Sequence, residues 1–177
     1  MTWKSFHSRG EILRDVITTA NRRRDGLLPM DVDGVAETFG DELTLLGALQ
    51  LRWHTRLAGR IERELMQQPM DLESAVVAAW HATAEELPGV LAIVDHYRAE
   101  PRDAAMAEAM AKSGAKERIL LAMMAGRASA ADQAAVRVGA AIEAQARATY
   151  RPVRPAAASR RGAHPRLLAR LKAALAA

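Results

Sequence analysis

The chain has 177 residues, no cysteine, 26% charged residues and a formal net charge of +4. That length suits one compact domain, or one domain with a tail. The missing cysteine excludes a disulfide-stapled scaffold and a Cys-ligated zinc or iron–sulfur site, and a hydrophobic content of 50% excludes a wholly disordered chain.

The first residues lack an apolar h-region, and Glu11 and Asp15 follow soon after, so no secretory signal is expected. No run approaches 18 apolar residues, and no membrane span is expected either. The cytoplasm is the expected location. Ser8-Arg9-Gly10-Glu11 reads as a capping box. It is followed by Ile12, Leu13, Val16, Ile17 and Ala20 at helical spacing, with Arg22, Arg23 and Arg24 at the cation-favouring C-terminal end and Gly26 as the stop. A short helix is expected over residues 32–39, ending at Gly40.

Asp41 is placed to cap the longest helix, roughly residues 42–67, with Leu46, Leu49, Trp53, Leu57, Ile61 and Leu65 as its apolar stripe. Pro69 stops it. Asp71 caps the next helix, which carries Val76, Val77, Trp80 and Leu87 inward. Pro88 kinks that helix or starts a new one through Tyr97. The short connection near Gln68 predicts antiparallel packing of the two long elements.

Beyond Pro101 the side chains become smaller. Alanine occurs 11 times in residues 1–100 and 27 times in residues 101–177. Of the aromatics Trp3, Phe6, Phe39, Trp53, Trp80, Tyr97 and Tyr150, only the last lies in the second part. Alanine favours helix but buries little area, so this half is expected to depend on the first half, or on a second subunit, for its core. Met106, Met110, Ile119, Leu120, Met123 and Met124 supply its bulk, and filling space among alanines is their simplest use. Ser129-Ala130-Ala131-Asp132 reads as a second capping box, opening a helix to about Tyr150. No stretch shows sustained β alternation. The expected fold is all-α: an antiparallel helical bundle of five to seven helices in residues 1–150, followed by a flexible basic C-terminal tail in residues 151–177.

That tail contains Arg151, Arg154, Arg160, Arg161, Arg166, Arg170 and Lys172 and no acid, a charge of +7 against −3 for residues 1–150. Its Pro/Ala-rich start reads as a linker. From Pro165 onward, Leu167, Leu168, Leu171 and Leu175 line one side of a short helix and Arg166, Arg170 and Lys172 another. Such a helix is marginal alone and is expected to order on a partner. An acid-free cationic segment suits an anionic partner, either a protein assembly or nucleic acid.

Within residues 1–150 no strong catalytic signature is present. A Glu-x-x-His pair, a His-Glu-x-x-His motif and a Gly-rich phosphate loop are all missing. The alternative reading is a divalent-metal or cofactor-binding bundle, ferritin-like in shape but without the usual Glu-x-x-His motif, with redox or hydrolytic activity. Trp53-His54 and Trp80-His81 lie on successive helices, and antiparallel register would bring His54 near Glu85 or Glu86, with His81 and Glu85 at i, i+4. Those four residues could bind a metal or work as acid and base; the plainer reading is a His–Glu hydrogen bond at the edge of a Trp-rich core. Residues 35–40, followed by Leu46 and Leu49, resemble helix-turn-helix spacing. However, Asp41 and Glu42 at the tip would repel phosphate. Arg52, Arg56, Arg60 and Arg63 form a secondary basic stripe, tempered by Glu62 and by an i, i+4 pairing of Arg60 with Glu64. The reading favoured by these residues is a non-catalytic binding or regulatory protein. It would recognise a protein partner or self-associate, and its tail would add electrostatic attachment.

Overall fold

A computed structural model of the chain describes residues 3–67 and 70–152. Those residues form seven helices and no strand: α1 (Trp3–Arg23), α2 (Val35–Phe39), α3 (Glu42–Gln67), α4 (Leu72–Glu86), α5 (Pro88–Ala99), α6 (Ala104–Met124) and α7 (Gln133–Thr149). None of them is long and apolar enough to cross a membrane.

Side-chain caps set most of the starts. Asp41 Oδ1 accepts from the Thr44 amide at 2.7 Å, and Asp71, Asp103 and Asp132 do the same for Ser74, Met106 and Ala135. Each aspartate satisfies an amide that the helix itself leaves free. Leu87 leaves helical geometry, and Pro88 then opens α5 at a position where its missing N–H costs nothing. Asn21 of α1 braces this break: its Oδ1 accepts from the Gly89 amide at 2.9 Å and its Nδ2 donates to the Glu86 carbonyl at 3.2 Å.

Three expected boundaries move. α1 begins at Trp3, so Ser8-Arg9-Gly10-Glu11 lies inside the helix and does not start it. Asp132, not Ser129, caps α7. The short second helix begins at Val35 rather than residue 32.

One hydrophobic core runs through all seven helices. Trp53, Trp80, Tyr97, Leu45, Leu46, Leu49, Leu57, Ile61 and Ile93 form its bulk, with Val16 from α1, Phe39 from α2, Met106, Met110 and Leu121 from α6, and Ile142 and Ala146 from α7. The second half thus reaches the core through a few large residues, as its composition predicts. Leu45, Leu46 and Leu49 are buried, so the helix that would read DNA gives that face to the core. Two glycines allow helices to touch backbone to backbone. A Cβ on Gly89 would lie 2.1 Å from the Ala20 carbonyl, and one on Gly139 would lie 1.8 Å from the Arg118 carbonyl oxygen.

Candidate functional site

The residues singled out around the Trp-His pairs divide: His54 and Glu86 turn to different partners, whereas His81 and Glu85 both adjoin Tyr150. Trp53 and Trp80 both point inward, packed edge to face with centroids 6.0 Å apart. His54, one position round the helix from Trp53, faces α6 instead of α4. Its Nε2 lies 3.3 Å from Glu117 Oε2. His81 donates from Nε2 to the Ala146 carbonyl at 2.8 Å, with Thr149 Oγ1 3.2 Å away, and its ring packs on Tyr150. Glu86 is clasped by Arg56 Nε at 2.6 Å and Arg60 Nη2 at 2.8 Å. These bonds, Arg56 first and Arg60 after it, hold the Glu86 carboxyl below the usual carboxylate range although its partial burial opposes that. Glu85 is exposed and lines a small pocket of about 240 Å³ with Arg24, Asp95 and Tyr150. Burial and then Glu85 push the Tyr150 hydroxyl up from its ordinary value. Among the described residues, no group of three or more His, Asp or Glu side chains is placed to hold a metal ion.

The arginine stripe divides in the same way. Arg52 is exposed, Arg63 bonds back to the Gly59 carbonyl at 3.1 Å, and Arg56 and Arg60 reach across to Glu86. Arg60 therefore pairs with Glu86 of the neighbouring helix, not with Glu64 of its own. Of the tail residues, Arg151 is exposed and donates to the Ala148 carbonyl at 2.9 Å. Arg154, Arg160, Arg161, Arg166, Arg170 and Lys172, and the short amphipathic helix expected after Pro165, lie outside the described residues.

The principal charged cluster of the body uses residues that the sequence patterns did not single out. Glu117 and Glu143, with side chains only 3% and 5% exposed, stand between α5, α6 and α7. Glu143 Oε1 accepts from Arg98 Nη1 at 2.7 Å and Arg147 Nε at 3.0 Å, and its Oε2 accepts from Arg118 Nε at 3.0 Å. Arg147 also forms a two-pronged pair with Asp95, at 2.8 and 2.9 Å, and lies over the Trp80 ring. Arg98 Nη2 approaches Glu117 Oε2 at 3.8 Å, and the same guanidinium passes beside Gly114. Three carboxylates thus meet three guanidiniums, and the cluster is neutral before His54 is counted.

Its electrostatics follow from that balance. Burial pushes the Glu143 carboxyl up, yet the charges of Arg98 and Arg147 and the Arg118 bond outweigh this and leave it below the usual range. Burial likewise works against the Arg147 charge, and Asp95 and Glu143 outweigh it, so the guanidinium is held more firmly protonated than usual. Glu143 and Arg147 are therefore fixed in their charged forms, whereas a general acid or base works best when poised near the operating pH. The one imidazole of the cluster that opens on a surface cleft is His54. That cleft, of about 300 Å³, is lined by Thr55, Ala58, Lys116, Glu117 and Leu120 besides His54, and the buried Glu117 orients the ring within it.

A sequence signal for this cluster existed. Met106, Met110, Gly114, Glu117 and Leu121 recur at steps of four and three, and so do Ala135, Gly139, Glu143 and Ala146, with Ile142 beside the second stripe. A carboxylate on a buried stripe needs a cation opposite it, and Arg98, Arg118 and Arg147 supply three. Comparison of the chain with family models, curated proteins and solved structures finds no match.

Proposed function

We propose that this is a non-catalytic binding or regulatory protein of the cytoplasm. Residues 1–150, read as an antiparallel helical bundle, form the body, and residues 151–177 form a basic arm that docks on an anionic partner. The observation that carries the reading is the seven cationic side chains without an acid over 27 residues, attached to a body of charge −3. What supports it in the body is the use made of its charges. Glu86, Asp95, Glu117 and Glu143 are each held by one or more arginines, so these charges work in holding the helices together. The body supplies shape and a surface for protein contact or self-association, and the arm supplies attraction.

Matched chains with and without residues 153–177 test this. On capture from native cell extract, the full chain retains an anionic protein assembly or nucleic acid that the shortened chain loses. If the partner is duplex DNA, log K falls with log salt at a slope of up to about −5, since six further cations each release about 0.9 counterion per phosphate contact. Equal capture by the two chains overturns the reading.

A further inference from the structure

An open groove lies between α1 and α3. It is lined by Arg9, Gly10, Leu13, Thr44, Gly47, Ala48 and Leu51 and has a volume of about 460 Å³. Its floor is open because two helix-interior glycines face it: a Cβ on Gly10 or Gly47 would meet nothing within 4 Å. Leu51 stands at its edge, 67% exposed, among the most exposed leucines of the body. With Leu13 and Ala48 it gives the groove a contiguous apolar lining, the kind of surface that marks a contact site.

We propose that residues 165–177 of the same chain dock in this groove as a helix, with Leu167, Leu168, Leu171 and Leu175 turned onto Leu13, Ala48 and Leu51. Arg166, Arg170 and Lys172 then stay in water on the other side. Three arguments point to this occupant. The first is size. Seven lining residues are few for a stable interface between two copies, which takes roughly 20–30 residues a side, but they suit one short helix of about 20 Å at 1.5 Å per residue. The second is reach. The described chain ends at Pro152, which shares a pocket with Arg24 at the C-terminal end of α1. From Arg24 back to Leu13 or Gly10 along α1 is about 17–21 Å, and residues 153–164 span up to about 40 Å when extended. The third is concentration. A tether of this kind holds its segment at an effective concentration on the order of millimolar, above that of any second copy in a dilute sample.

The contact goes beyond the proposed capture of an anion. It uses the apolar side of the arm and leaves the cationic side outward, so an occupied groove orders the arm before a partner arrives.

The chain has no cysteine, which permits a direct test on the unshortened 177-residue chain with no anion present. The pair Ala48→Cys with Leu171→Cys is compared with Ala144→Cys with Leu171→Cys, whose first cysteine is exposed on α7 and within reach of the same tether. At micromolar protein the groove pair is expected to close an intramolecular disulfide at least tenfold faster. Leu51→Arg added to the groove pair should return it to the control rate. Equal rates for the two pairs, no disulfide in either, or insensitivity to Leu51→Arg overturns cis docking. A disulfide-linked dimer as the main product overturns it in favour of a second copy. Because no partner is present, none of these results bears on whether the arm captures an anion.

Discussion

Glu143→Gln removes one negative charge from the centre of the cluster and leaves Arg98, Arg118 and Arg147 facing an amide. Removing one member of a buried ion pair costs about 3–5 kcal/mol. Here the carboxylate is buried, but the three arginine side chains are about a quarter to a third exposed. Water can take up part of their freed charge, which places the cost near the lower end, at about 3 kcal/mol. For a chain of this length that lowers the Tm by about 6–12 °C. Urea unfolding followed by tryptophan fluorescence is the assay, since Trp80 lies 5.2 Å beneath the Arg147 guanidinium. Glu108→Gln is the control. It makes the same charge change at an exposed pair with Lys112 and should cost no more than about 0.5 kcal/mol. The pH dependence has a definite sign. The folded-state pKa of Glu143 is depressed, so its contribution is present above the ordinary glutamate value, near 4.3, and fades as pH falls through the lower folded value. The gap between wild type and Glu143→Gln should therefore narrow below about pH 4. A loss under about 1 kcal/mol at neutral pH, or a gap that stays level on acidification, refutes the reasoning.

Other outcomes follow from the same contacts. Gly139→Ala puts a methyl group into the Arg118 carbonyl and should cost about 1–3 kcal/mol or more by urea unfolding. Gly59→Ala enters open space on α3 and should gain about 0.5–1 kcal/mol. Arg56→Ala leaves Glu86 with Arg60, at a partly exposed pair; the expected cost is under about 1 kcal/mol and should shrink further in high salt. Deleting residues 153–177 should leave a body that still unfolds in one cooperative transition in urea, because the core is built from Val16 to Ala146.

The helices were legible where local chemistry alone decides. Asp41 and Asp71 announce their helices, Pro88 announces a break, and the stripe from Leu46 to Ile61 announces a buried face. The Ser8 and Ser129 boxes misled because a capping box is also a sequence that a helix tolerates. α1 continues through Ser8, and Asp132 stands closer to the first free amides of α7. The side on which His54 emerges was not legible, since a shift of one position round α3 turns a residue from α4 to α6. The Glu143 cluster depends on three helices meeting. It leaves only a faint trace in the sequence, a carboxylate where the stripes of α6 and α7 call for an apolar side chain. The groove was hidden for a similar reason, because Gly10 and Gly47 acquire meaning only when α1 and α3 are seen to lie side by side.

The central claim is that attachment resides in the charge of the arm while the charges of the body hold its helices together. It is tested most directly by neutralising the arm without shortening it, with Arg154, Arg160, Arg161, Arg166, Arg170 and Lys172 all changed to Gln. The amount of anionic partner captured from native extract is then measured against the unaltered chain. Loss of capture with an unchanged Tm is the predicted result. Capture that survives neutralisation would contradict the claim and move the binding surface to the helical body.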